Sequence, residues 1–121
     1  MKQVFLLIFF LSFSVTQSQE FTRADTLRGS ITAERAWWDV LYYELDVNVS
    51  PEEKYIEGST TITYKVLDKA KRMQIDLQAP MNIDKVMQGG EEVSFTSEGA
   101  AHFITLQQKQ KKRSEYQITI Y

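Results

Sequence analysis

The sequence predicts an all-β fold, either an antiparallel β-sandwich or a saddle-like open sheet of about seven strands. Apolar and polar residues alternate with a period of two through most of residues 37–121, as in strands that bury one face. The same region contains no segment with the 3.6-residue period of an amphipathic helix. We expect the fold to be incomplete at its carboxyl end, because the last alternating segment reaches Tyr121 without a turn residue after it.

Residues 1–18 are predicted to be a signal peptide that is cleaved near Ser18-Gln19. Lys2 precedes an apolar stretch from Val4 to Phe13 that contains a single serine, and small polar residues follow it. A signal peptide has about 7–15 apolar residues at its centre, whereas a membrane-spanning helix needs about 20. We therefore expect an exported protein, periplasmic or extracellular, with no transmembrane segment after cleavage.

The remainder divides into a polar leader arm, residues 19–36, and a single β-domain, residues 37–121. One helical turn is predicted in the arm near Thr32 to Ala36. The chain has a net charge of −2, and it has no cysteine. A mildly acidic domain lacks the basic surface that nucleic acid requires, so we expect no nucleic-acid partner. Without cysteine, disulfides and thiolate zinc sites are excluded.

The first two strands are predicted in WWDVLYYELDVNV and YIEGSTTITYKVL. The apolar face of the first strand consists of Leu41, Tyr43, Leu45, Val47 and Val49. The inward residues of the second strand are Ile56, Thr60, Ile62, Tyr64 and Val66. Gly58 falls in line with this inward set, so it predicts a β-bulge or a close backbone approach.

Shorter strands follow. MQIDL is the third, and NIDKVMQGGEEVSF predicts a hairpin whose tip is Gly89-Gly90, since both turn positions favour positive φ. AAHFITL forms the next strand and SEYQITIY the last, with Tyr116, Ile118 and Ile120 on one face.

The chain offers little catalytic chemistry. His102 is the only histidine, and neither H-E-x-x-H nor G-x-S-x-G occurs, so zinc hydrolysis and a serine nucleophile lack their usual residues. The carboxylate pairs Glu52-Glu53 and Glu91-Glu92 lie beside turns, where solvated charges are expected. We predict no catalytic residue, no metal ligand and no cofactor in this chain. A small hydrolase built on His102 is the least favoured hypothesis.

Two sets of residues are candidates for contacts. Trp37, Trp38 and Tyr42 are candidates for contact with another domain or a ligand. Adjacent strand residues face opposite sides, so one indole can enter the core while the other lies at the surface. Core or interdomain packing is the favoured interpretation of the pair, because tryptophan is usually largely buried. The basic run of Lys109, Lys111, Lys112 and Arg113 can contact an anionic surface, although charges in a hairpin connection also simply keep it solvated.

The order of these strands resembles the amino-terminal β-domain of the aminopeptidase N family of zinc metallopeptidases. The similarity is carried by Tyr43-x-Leu45-x-Val47, Gly58 before Ile62-x-Tyr64, Ile75-Asp76-Leu77, and Ile83 with Val86, and it runs from about Arg28 to Tyr121.

This resemblance implies a non-catalytic domain of an exported zinc aminopeptidase. In that family the β-domain supports a thermolysin-like catalytic domain and walls one side of the peptide-substrate cleft. The zinc ligands and the G-x-M-E-N loop lie in the catalytic domain, which would be the partner here, in cis or as a separate chain. No catalytic residue of the family maps onto this sequence, and zinc is implied only for the parent enzyme.

The alternative is a stand-alone exported β-sandwich that binds a glycan or a partner protein. The two hypotheses differ in what they predict for the surface. A stand-alone domain should be a cooperatively folded monomer, whereas part of a larger enzyme should expose an unpaired sheet edge and an uncovered apolar face.

Overall fold

The computed structural model describes residues 20–107 and 109–121. The predicted signal peptide lies outside the described residues. Two short helices come first, α1 (Arg23–Gly29) and α2 (Ala33–Ala36). The strands are β1 (Trp38–Ser50), β2 (Tyr55–Val66), β3 (Arg72–Asp76), β4 (Val86–Gln88), β5 (Glu91–Val93), β6 (Phe95–Glu98), β7 (Ala101–Thr105) and β8 (Glu115–Ile120).

The strands form two antiparallel sheets, which confirms the predicted fold class. One sheet has the order β1-β2-β8-β4-β5 and the other the order β3-β7-β6. The described residues contain eight strands rather than about seven. The reason is that the segment expected to be one strand up to Gly99 is divided at Ser94, so that β5 lies in the larger sheet and β6 in the smaller.

Strand β8 lies in the middle of the larger sheet. It pairs with β2 along its whole length, from Thr60 opposite Ile120 to Lys65 opposite Glu115. On its other side it pairs with β4. Its predicted alternation is confirmed, since Ile118 is fully buried while Gln117 is exposed.

The hydrophobic core lies between the two sheets. The larger sheet contributes Ile62, Tyr64, Val66, Val86 and Ile118, and the smaller contributes Met73 and Ile104. The predicted turn at the β4–β5 hairpin is also confirmed, because Gly89 and Gly90 have φ values of 61° and 88°, as a type I′ turn requires.

One predicted face is wrong in detail. A bulge between Val40 and Tyr42 shifts the register of β1, so two residues of β1 occupy one step of the ladder. Val40, opposite Tyr64, therefore packs on the core in the place expected for Leu41. Leu41 is 47% exposed. From Tyr43 onward the apolar and polar residues lie on the predicted faces, but both faces of this part of β1 are exposed, whereas one was expected to be buried.

The leader arm covers the outer side of the smaller sheet. Leu27 of α1 is buried with Ala101 and Phe103, and the helical turn predicted near Thr32 to Ala36 is found as α2. Helix α1 was not predicted. Its local signal is a capping box, in which Thr22 accepts from the Asp25 amide and Asp25 accepts from the Thr22 amide.

Candidate docking surface

The inner face of the β1–β2 hairpin continues beyond the core as an exposed apolar surface. Its members are Tyr43, Leu45, Val47, Val49 and Ile56, which are 50–67% exposed. We call these five side chains the apolar face. They share a side with the core because Tyr43 pairs with Ile62, which is only 3% exposed, and the register is regular from there to the hairpin turn.

The apolar face is uncovered because β1 and β2 are longer than the strands packed opposite them. From Tyr43 to Val49 the strand extends about 20 Å. The smaller sheet ends at Asp76 in β3, and none of the described residues buries this outer part of the hairpin. Five large apolar side chains in alternating positions on one face form a patch typical of an interaction site rather than scattered surface residues.

A cleft lies where the core meets the apolar face. It has a volume of about 470 Å³ and is lined on its apolar side by residues of both sheets, among them Tyr43, Ile62 and Ile75. Arg35 and Asp76, which form an ion pair, also line it. The surface available to a partner therefore combines an apolar interior with a charged pair.

The two tryptophans do not face opposite sides, so that part of the prediction is wrong. Trp37 is in the αR conformation at the end of α2 rather than in the strand. Its indole is 4% exposed, and its Nε1 donates to the Arg72 carbonyl at 2.7 Å. Trp38 donates to the Glu34 carbonyl at 3.0 Å. Both rings contact the Tyr64 ring edge-on.

Tyr42 lies apart from the tryptophans. It is 63% exposed and pairs with Thr63, on the opposite face of β1 from Tyr43. The structure therefore separates the three predicted contact residues into a core pair and one surface ring. Whether any of them contacts a ligand or another domain stays a prediction.

The basic run forms the turn that leads into β8. Lys109, Lys111, Lys112 and Arg113 are exposed, and Lys112 Nζ lies 3.9 Å from the Asp68 carboxylate. Gln110, between Lys109 and Lys111, is buried, and its side chain accepts a hydrogen bond from the Tyr64 hydroxyl at 3.0 Å. The run is thus anchored to the core, and its contact with an anionic surface stays a prediction.

Tyr64 is the centre of a buried polar network. Its hydroxyl donates to Gln110 Oε1 and accepts from Gln88 Nε2, each at 3.0 Å. Burial raises the pKa of the Tyr64 phenol well above its ordinary value, and the hydrogen bond from Gln88 opposes this shift only in part. The phenol is therefore a structural hydrogen-bonding group and not an acid that ionises near neutral pH.

The described residues do not fit a zinc ion. They contain no cluster of three histidine, cysteine or carboxylate side chains arranged to hold a metal. Both ring nitrogens of His102 already face protein groups, with Nδ1 2.8 Å from Ser97 Oγ and Nε2 3.4 Å from the Leu77 carbonyl oxygen. Neither helix of the described part of the chain is long and apolar enough to cross a membrane.

Comparison with known proteins identifies the fold. No protein-family profile matches the sequence, and no curated protein matches it. Solved structures do match in fold, and M1 zinc metallopeptidases are among them. The enzyme from Deinococcus radiodurans superposes with a TM-score of 0.62 at 21% identity, over 70% of this chain. A two-domain M1 zinc metallopeptidase variant bound to L-arginine gives a TM-score of 0.61 at 20% identity, over 71%.

A more distant protein has the same fold. The yeast LTA4 hydrolase matches 69% of this chain with a TM-score of 0.56 at 21% identity. The chain spans about a fifth or less of these proteins, 20% of the first two and 14% of the third. At this level of identity the likeness establishes the fold, and it confirms the fold that the sequence resemblance implies.

Proposed function

We propose that the chain is the non-catalytic amino-terminal β-domain of an exported zinc aminopeptidase. It supports the catalytic domain through the apolar face and forms one wall of the peptide-substrate cleft. The observation that carries the proposal is that the M1 fold match coincides with a large apolar face left uncovered by the described residues. Both features are expected of a domain whose core is completed by a neighbour.

Chemistry in this proposal belongs to the catalytic domain. Since the described residues contain no metal-binding cluster, the zinc ion and its ligands would be supplied by that neighbour. The role of this chain is mechanical: it fixes the position of the catalytic domain and excludes water from one side of the cleft.

The first test is to read the DNA that follows the Tyr121 codon, in all three frames. The proposal expects a segment that encodes G-x-M-E-N and H-E-x-x-H, there or in a separate gene of the same operon. Such a catalytic domain can then be co-produced with this chain. We expect peptidase activity toward aminoacyl 4-nitroanilides only when both are present.

A matched pair of variants tests the surface itself. Leu45→Asp with Val47→Asp places two charges on the apolar face, and we expect it to abolish association with the catalytic domain. Tyr42→Asp places a charge on the other face of the same strand and should leave association unchanged. If both variants associate like the unmodified chain in size-exclusion chromatography, the apolar face is not the docking surface and the proposal fails.

The stand-alone alternative rests on Trp37 or Trp38, Tyr42 and the basic 109–113 loop as contact residues. Trp37 is 4% exposed and Trp38 packs against the core, so Tyr42 is the exposed ring of the three. A monodisperse, cooperatively melting monomer with no catalytic partner encoded nearby would favour this alternative.

A further inference from the structure

Strand β1 is a long, open edge of the larger sheet. It has 13 residues, and in the strand order β1-β2-β8-β4-β5 it forms backbone hydrogen bonds with β2 on one side only. No other segment of residues 20–107 and 109–121 pairs with its outer side. Its backbone N–H and C=O groups on that side are therefore open to another strand.

The usual devices that protect such an edge are few. Natural edge strands are short, or carry charged side chains (lysine above all), proline or bulges. Strand β1 has neither lysine nor proline between Trp38 and Ser50, and its only register shift is near its start, between Val40 and Tyr42. The stretch from Tyr42 to Asn48 is thus regular and available for strand addition.

The charges beside this edge indicate which charge a partner strand should carry. Glu44 and Asp46 lie on the outer face opposite the neutral Thr61 and Ser59, and neither carboxylate forms an ion pair with any described residue. Asp39 differs, because it lies opposite Lys65. The outer face next to the free edge therefore carries two uncompensated negative charges.

A second copy of this chain fits the edge poorly. If two β1 strands paired antiparallel around Leu45, Glu44 of one copy would lie opposite Asp46 of the other, and the reverse. Like charges directly opposite each other destabilise a strand pair. A strand with basic residues at these positions would instead form attractive cross-strand pairs.

We propose that the edge of β1 from Tyr42 to Asn48 binds an extended peptide segment in which basic residues alternate with apolar ones. The segment adds a sixth strand to the five-stranded sheet, and backbone hydrogen bonds hold it. Its basic side chains lie beside Glu44 and Asp46. Its apolar side chains lie beside Leu45 and Val47 and extend the apolar face. The inference does not depend on which domain covers that face.

The test uses the full chain and a labelled nine-residue peptide in which Val alternates with Lys. Two peptides serve as controls: one with Glu in place of Lys, and one with Lys but with N-methyl groups on the central backbone amides. By fluorescence anisotropy we expect the Lys peptide to bind roughly tenfold or more tightly than the Glu peptide, and the N-methylated peptide not to bind. Hydrogen exchange of amides within residues 42–48 should become slower when the Lys peptide binds.

A charge exchange separates recognition from general stickiness. The variant Glu44→Lys with Asp46→Lys should prefer the Glu peptide, whereas Glu92→Lys, on the opposite edge of the sheet in β5, should keep the original preference. The inference is overturned if the Lys and Glu peptides bind the unmodified chain equally. It is also overturned if the N-methylated peptide binds as well, or if the chain forms a dimer that protects the same amides. None of these results bears on association through the apolar face, which the Leu45 and Val47 variants test.

Discussion

Gly58 and Asp46 approach each other so closely that no side chain fits between them. A Cβ atom built on Gly58 would lie 2.0 Å from the Asp46 carbonyl oxygen and 3.0 Å from the Val47 Cα. Both neighbours are backbone atoms of β1, so they cannot rotate away. The pairing of Val47 with Gly58, and with it the outer half of the hairpin, therefore depends on glycine at this position.

Gly58→Ala should lower the free energy of unfolding by about 1–3 kcal/mol, as overpacking usually does. The expected measurement is urea denaturation followed by circular dichroism. The matched control is Gly29→Ala, since a Cβ there meets no atom within 4 Å and alanine favours the end of α1. Equal stability of the two variants would contradict the close approach.

Tyr64→Phe should destabilise the fold although it removes a single oxygen. The change removes the two hydrogen bonds that the Tyr64 hydroxyl forms with Gln88 and Gln110, and the loss of hydrogen bonds to buried polar groups costs about 1–3 kcal/mol. Tyr42→Phe is the control on an exposed ring and should be within about 0.5 kcal/mol of the unmodified chain. A Tyr64→Phe variant of full stability would show that the network contributes nothing.

The same residue predicts a pH dependence. Burial raises the pKa of Tyr64 in the folded state, so the folded protein holds this proton more tightly than the unfolded chain, whose phenol titrates near pH ~10. The stabilisation is complete below pH ~10 and is lost as the pH rises above it. Above pH ~10, the free energy of unfolding should therefore decrease with pH more steeply than that of Tyr64→Phe. The difference in slope should be up to about 1.4 kcal/mol per pH unit. Parallel curves for the two proteins would refute this prediction.

The substitution Gln74→Ala should make the leader arm open more often from the smaller sheet. The Gln74 side chain is 1% exposed; its Nε2 donates to the Leu27 carbonyl at 3.1 Å, and its Oε1 accepts from Thr32 Oγ1 at 2.7 Å. Gln74→Ala removes the hydrogen bonds to both Leu27 and Thr32, so local opening of the arm should become at least roughly tenfold more frequent. Tryptic cleavage after Arg28 measures this opening. The exposed Gln78→Ala variant is the control, and an unchanged cleavage rate in Gln74→Ala would exclude the proposed clamp.

The sequence alone was sufficient to predict the features that depend only on residues close together in the chain. A period of two places Ile62 and Ile118 on inward faces, and two consecutive glycines adopt the positive φ values of the turn after β4. Such patterns are local, because they follow from the pleat of a strand and from glycine's lack of a Cβ atom. The resemblance to the aminopeptidase N family predicted the fold from the order of the strands along nearly the whole chain.

Only the tertiary structure decided which apolar residues are buried. The alternation of Leu45 and Val47 is the same as that of a core strand, yet both are more than half exposed, because the smaller sheet ends at Asp76 and does not pack over them. Two further features depend on contacts between residues far apart in the chain. One is the position of β8 between β2 and β4, and the other is the bulge that places Val40 instead of Leu41 against the core. A binary pattern specifies which face of a strand is apolar, but it carries no information about what lies against that face.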